Sequence, residues 1–191
     1  MKERARSAAL TAERILDAAR ERFSTLFFDE VTLNDIADDA GVTVQTVIRR
    51  FGSKEELFAS LAERESERIL ADRDPGDDGG VGLHRALETL VDHYERDGET
   101  MLNLLAQETR FPMIADVVAQ GRRLHEKWVE EHCGSLAGGA KGKDRQRRLL
   151  AAVAATDLYT WKLLRRDRGL SRGEVVKTMV TLLEGLYETG E

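Results

Sequence analysis

The sequence predicts an all-α protein: an N-terminal three-helix, helix-turn-helix domain followed by a C-terminal helical domain, about nine helices in all. Three observations carry this. The chain of 191 residues has two prolines, 6% aromatics and 34% charged residues, a composition that suits helix far better than sheet. Apolar residues recur at helical spacing, as in Ile15, Ala19 and Phe23. Helix-start signatures stand before the apolar runs, with Ser53 followed by Glu56 and Ser171 followed by Glu174 as Ser-x-x-Glu capping boxes.

Taken in order, residues 11 to 27 form one amphipathic helix, with Leu16, Leu26 and Phe27 beside the four-residue repeat. Thr32, with Asp35 three positions on, starts a short helix ending near Gly41, and Thr43 starts another running to about 51. Ser53 opens a long helix carrying Leu57, Phe58, Leu61 and Ile69. The stretch 72 to 80, "DRDPGDDGG", has Pro75, three glycines and four aspartates and reads as an exposed connection. Beyond it, 81 to 97 and 99 to 109 read as two helices interrupted around Asp97 and Gly98, with Pro112 stopping the second. A longer helix covers 113 to 133, with Ile114, Val117, Val118, Leu124 and Trp128, and "GSLAGGAKGKD" breaks the pattern. The last two helices, 144 to 166 and the one opened by Ser171, are apolar on more than one face. A second face needs something to pack against, so these helices predict a homodimer. The expected boundary falls at 54/55: residues 1–54 as the helix-turn-helix domain, 55–191 as the effector-binding and dimerisation domain.

The chain has a formal net charge of -6, yet residues 40 to 54, "AGVTVQTVIRRFGSK", hold Arg49, Arg50 and Lys54 and no acid, between the pairs Asp38/Asp39 and Glu55/Glu56. An acidic chain does not coat nucleic acid with its whole surface, but a local cationic face can meet a polyanion. Two closely crossing helices need a small residue, supplied by Ala37, and a turn with positive φ, supplied by Gly41. Ile36, Ala40, Val42 and Val47 make the packed side. Thr43, Val44, Gln45, Thr46, Arg49 and Arg50 are left mostly outside: a planar amide for adenine, methyl groups for thymine, hydroxyls and cations for phosphates.

"TAERILDAARERF" and "VTLNDIADDAGVTVQTVIRRFGSKEELF" resemble the TetR family of bacterial transcriptional regulators over residues 11 to 58, while the remainder matches in length and helix layout. The resemblance implies that residues 43 to 50 are the recognition helix and that Thr32 and Lys54 stand at helix starts beside phosphates. Ile48 replaces the tyrosine that usually touches a phosphate, Val44 and Gln45 replace a common lysine and glycine, and Gly52 stands where proline is frequent. These departures shift phosphate contact towards Arg49 and Arg50. The arm "MKERAR" brings Lys2, Arg4 and Arg6, for a neighbouring minor groove or, the reading preferred here, as a soluble tail.

No enzyme chemistry is found. In "HEKWVEEH" the second zinc ligand position holds Val129, and His125 and His132 lie roughly 10 Å apart along a helix axis, too far to share an ion unaided. They read as surface or pocket histidines. "GGAKGKD" has Asp144 where a phosphate loop needs Ser or Thr and has no strand before it. The single cysteine, Cys133, excludes an internal disulfide and reads as a small helix-end residue. No apolar run reaches the ~20 residues that cross a bilayer, and no signal-peptide core follows the basic N-terminus, so a cytoplasmic protein is expected. No cofactor or metal is implied.

Tyr94, Met101, Leu102, Leu105, Phe111, Val117, Val118, Trp128 and Trp161 come from four helices able to enclose a cavity, with His93, Gln107 and His132 as polar contacts. Each alone is an ordinary core position. The resemblance implies that some of them line a small-molecule effector site. Together these expectations describe a homodimeric repressor of a palindromic operator, released by an effector. The rival is a helical dimeric ligand-binding or scaffold protein without operator binding.

Overall fold

The structure, a computed structural model, describes residues 2–73 and 82–188, apart from the side chains of residues 2, 4, 5, 136, 137, 187 and 188. Nine α-helices run through the described residues: α1 Lys2–Thr25, α2 Leu33–Asp39, α3 Val44–Phe51, α4 Lys54–Arg73, α5 Leu83–Leu105, α6 Pro112–Cys133, α7 Gly142–Thr156, α8 Leu158–Lys162 and α9 Arg172–Glu188. There is no strand among them, in keeping with the all-α expectation. Most of the expected connection at 72 to 80, and the side chains of Lys2 and Arg4, lie outside the described residues.

Packing divides the chain into two compact units: Met1–Arg68 with Glu99–Val118, and Ile69–Gly98 with Ala119–Glu191. In the first unit, Ile15, Ala19 and Phe23 of α1 meet Ile36 and Ala37 of α2, Val47 of α3 and Leu57, Phe58 and Leu61 of α4, all buried. Phe23, Phe28 and Phe58 form an aromatic triple, stacked at 5.6 Å and edge-on at 5.3 and 5.7 Å, geometries that favour aromatic pairs. Ile114 and Val118 of α6 join this core. Asn103 Nδ2 donates to the carbonyls of Phe23 and Leu26, at 3.3 and 3.1 Å, which fixes the chain leaving α1.

In the second unit the core is Leu87, Leu90, Val91 and Tyr94 of α5, Trp128 and Val129 of α6, Ala152 and Ala155 of α7, Trp161 of α8, and Val175, Val176, Met179 and Leu183 of α9. Cys133, the last residue of α6, is fully buried, and burial pushes its thiol up to about 11, so it is an inert packing group.

Three helix expectations are corrected. The break at Asp97 and Gly98 does not occur: α5 runs straight through. A Cβ at Gly98 would lie 2.6 Å from the Trp161 ring, so this glycine serves a close approach and its weak helix propensity is overridden by packing. Pro112 starts α6 instead of ending a helix, at the position where its missing N–H costs nothing. The helix expected over 144 to 166 is broken at Asp157, whose backbone is extended at φ -68, ψ 155 and whose carboxylate accepts the Tyr159 N–H at 2.8 Å. A π-helical turn, Leu163–Asp167, then follows α8.

Candidate nucleic-acid interface and buried polar cluster

The turn between α2 and α3 is built as its residues require. Gly41 has φ +61, and the Val42 N–H reaches back to the Ala37 carbonyl at 2.9 Å, closing a Schellman-type end to α2. Thr32 starts α2 with a full capping box: its Oγ1 accepts the Asp35 N–H at 3.2 Å while Asp35 Oδ2 accepts the Thr32 N–H at 3.3 Å. Thr43 Oγ1 caps α3 by accepting the Thr46 N–H at 3.3 Å. The exit from α3 uses Gly52 at φ +85, a conformation closed to proline, whose ring holds φ near about -65°. That explains why this chain departs from proline there.

Buried Val47 anchors α3, and Gln45, Arg49 and Arg50 are exposed around it. Ile48 is 41% exposed, a large apolar group presented outward where no fold requirement puts it. Thr32 and Thr43 are also exposed, and Thr46 is half-buried. Val44 is half-buried and packs against the first unit's core, so it serves the fold at least as much as the surface.

Lys54 holds a role that the sequence did not reveal. Its Nζ donates to the carbonyls of Phe28 and Val31, both at 2.8 Å, and stands 4.3 Å from the Phe28 ring centre. Two of its three N–H donors are thereby spent inside the unit.

One acid of each pair bordering the cationic window, Asp39 and Glu56, is engaged by another group. Arg22 clasps Asp39 with two bonds, at 2.5 and 2.9 Å, and this guanidinium pulls the Asp39 carboxyl below its ordinary range. Glu56 accepts the Ser53 N–H at 2.8 Å, while Ser53 Oγ accepts the Glu56 N–H at 3.1 Å, the expected capping box. Asp35 is lowered first by its bond from the Thr32 hydroxyl. Arg14 Nη2 donates to the carbonyls of Ala40 and Gly41, tying α1 to the turn. Arg49 and Arg50 stand exposed on α3, while the Asp39 and Glu56 carboxylates beside the window turn to Arg22 and to the Ser53 N–H.

The twelve effector candidates separate. Met101, Leu102, Leu105, Gln107, Phe111, Val117 and Val118 fall in the first unit, where Val118 belongs to the core and Leu105, Phe111 and Val117 pack on it. Gln107 is buried there as a strut: its Oε1 accepts the Phe28 N–H at 2.7 Å and its Nε2 donates to the Asn103 carbonyl at 3.0 Å. His93, Tyr94, Trp128, His132 and Trp161 fall in the second unit. Trp161 Nε1 donates to Glu95 at 2.9 Å, and Arg165 holds the same carboxylate, drawing Glu95 below its usual range against the cost of its burial.

In the second unit the buried polar residues also include Arg73, Asp97 and Thr156, which were not among the expected site residues, and His125, which the sequence left as a surface or pocket histidine and which is buried. Tyr94 is at their centre. Its hydroxyl donates to the Thr156 carbonyl at 3.0 Å, and burial pushes it up to about 12. The Arg73 guanidinium lies 5.6 Å from its ring centre and the His93 ring 5.6 Å away. Thr156 Oγ1 is 3.1 Å from His125 Nε2, the His125 ring stacks on Trp128 at 6.0 Å, and Trp128 meets His132 at 4.9 Å. His93 Nδ1 faces Asp97 Oδ2 at 3.2 Å. Burial depresses His93 and brings His125 down to about 4, so both rings are neutral at pH 7. One signal for part of this was legible: Ala86, Leu90, His93 and Asp97 follow each other at spacings of four, three and four, one face of α5. Arg73 gave none, because it sits in the Asp/Gly/Pro-rich stretch.

Residues 15–61 match the model of the family described as bacterial regulatory proteins, tetR family. The chain is 34% identical over 76 residues to the HTH-type transcriptional regulator AlkX of Mycobacterium tuberculosis, a match covering 40% of this chain and 36% of that one. It is 28% identical over 180 residues to the HTH-type transcriptional repressor KstR of Mycolicibacterium smegmatis, covering 92% and 88% of the two chains. A solved structure of a TetR-like transcriptional regulator from Rhodococcus sp. RHA1 superposes with a TM-score of 0.69 at 26% identity, covering 95% of this chain and 96% of that one.

Proposed function

From the premise that this chain is a transcriptional regulator belonging to the TetR family of bacterial regulatory proteins, we propose that it is a repressor, binding a palindromic operator as a homodimer and released by a small-molecule effector. The observation that carries the DNA half is the outward face of α3: exposed Gln45, Ile48, Arg49 and Arg50 around buried Val47, with Thr43 and Thr32 at helix starts beside it. Gln45 offers the bidentate amide for a base edge, Ile48 an apolar contact for a thymine methyl, and Arg49 and Arg50 the charge for phosphates. Lys54 approaches phosphate with its one remaining donor. Residues 1–54 are the DNA-reading part and 55–191 the effector-binding and dimerisation part.

Support for the homodimer is the apolar surface left on the last helices: Leu150 of α7, Tyr159 of α8, Leu163 after it and Leu182 of α9 are 59%, 56%, 47% and 43% exposed. Support for an effector site is the buried polar cluster of the second unit. The relatives are transcription regulators, not enzymes, and no described helix is long and apolar enough to cross a membrane; we place the protein in the cytoplasm.

Selection of duplexes from a random pool with the full chain tests the DNA half. Recovery of inverted repeats with half-site centres about one helical turn apart, or a multiple of it, is expected. No enrichment would favour the helical dimer without operator binding.

A further inference from the structure

Five buried nitrogens of the second unit have no hydrogen-bond partner among the described residues: Arg73 Nε, both ring nitrogens of His93, His125 Nδ1 and Trp128 Nε1. They belong to three different helices, α4, α5 and α6, and their residues are at most 7% exposed. Buried polar groups in folded chains are almost always paired, so a concentration of unpaired ones in a single cluster asks for an occupant. We propose that this cluster binds a small molecule through a carboxylate group, with Arg73 and Trp128 as its donors. The inference rests on the reading of the chain as an effector-released regulator and names the chemistry of that effector.

The donor inventory decides the class. An arginine Nε–H and an indole N–H can only donate, so what faces them must accept. The Thr156 hydroxyl has one proton, which goes to the Ala152 carbonyl at 2.8 Å; its oxygen therefore accepts from His125 Nε2–H at 3.1 Å, and Nδ1 is a bare lone pair. On His93, Nδ1 turns to the Asp97 carboxylate, 3.2 Å away but misaligned for a hydrogen bond, which leaves Nε2 as the second proton-poor nitrogen. An ionised carboxylate is the acceptor that the Arg73 and Trp128 donors each lack, and its charge favours a proton on His93 or His125, turning a lone pair into a further donor.

The charged and titratable groups in and beside the cluster are Arg73 from α4, His93, Asp97 and Arg96 from α5, His125 and His132 from α6, and Asp157 at the end of α7. Of the two acids, Asp97 faces His93 and Asp157 caps the Tyr159 N–H, so neither stands in for the missing acceptor. A ligand amine would meet the Arg73 cation, and a neutral amide forgoes the charge-assisted bond.

The test uses the full chain with octanoate and phenylacetate against octanamide and phenylacetamide, read by tryptophan emission, with retention on a selected operator followed in parallel. Each acid should bind at least tenfold more tightly than its amide, and its affinity should rise as pH falls from 8 to 6.5 through proton uptake. In Arg73→Met the acid preference should drop to within threefold. Trp128→Phe, which keeps an aromatic ring and removes the N–H, should weaken the acids by more than the amides, whose neutral carbonyl makes the weaker bond to that N–H, and it stands as the test should Arg73→Met not fold. Equal binding of acids and amides, an acid preference untouched by either variant, or no binding by any of the four, leaving a hydrated cluster only, would overturn the proposal. Acid binding with the expected preference but no release of operator would uphold the carboxylate site and refute effector release.

Discussion

Gln45 and Arg50 lie on the same eight-residue helix, yet physical chemistry assigns them different work. Arg50→Ala should weaken binding to all duplexes alike and lower the slope of log affinity against log salt by about 1 for a lost phosphate contact. Gln45→Ala should instead relax the preference at particular base pairs by roughly 1–3 kcal/mol, measured by competition between selected and substituted operators. An unchanged selected sequence would remove Gln45 as the reader. His125 makes a separate prediction about stability. Burial lowers it from 6.5 to about 4 in the folded chain, so between those pH values the unfolded chain binds the extra proton. Stability is then lost as pH falls from 6.5 towards 4, by about 3 kcal/mol for this one group. Urea titrations across that window should show His125→Gln losing correspondingly less than the parent; equal losses would mean His125 is not held neutral by the fold.

Elements are where local preference and packing disagree, and Gly98 shows it most directly. Replacing a helix-interior glycine with alanine ordinarily stabilises by roughly 0.5–1 kcal/mol. Gly121 of α6, with nothing within 4 Å of the added Cβ, should follow that rule. Gly98→Ala should reverse it, because the methyl group lands 2.6 Å from Trp161, a ring held by Glu95 and unable to yield cheaply. Overpacking of this kind costs about 1–3 kcal/mol. Chemical denaturation of the two variants should move their midpoints in opposite directions; a shift in the same direction would show that Trp161 has room to move. The Asp157 break follows the same logic, since a run of apolar and alanine residues reads as one helix until a side-chain cap redirects it.

For the whole molecule, the exposed apolar side chains of α7, α8 and α9 bear on assembly. Leu150→Glu with Leu182→Glu should convert a dimer to a monomer in sedimentation equilibrium, because each places a charge where an apolar contact is lost. Both positions are exposed in the single chain, so the fold itself should keep its helical circular dichroism. Operator affinity should fall to that of a lone half-site. A variant that stays dimeric would move the interface elsewhere.

The helix-turn-helix was legible because its requirements are local: Thr32 and Thr43 cap within three residues, Gly41 supplies a positive φ, and Val47 is flanked by outward polar residues at helical spacing. Such signals depend on neighbours along the chain, and a sequence states those outright. The continuity of α5 through Gly98, the commitment of Lys54 to the carbonyls of Phe28 and Val31, and the separation of Gln107 from His93 into different units were not legible. The buried company of Arg73 and His125 was hidden in the same way. Each is settled by a partner distant in sequence, and a glycine, a lysine or a histidine carries no local mark of the ring, carbonyl or hydroxyl that the folded chain brings against it.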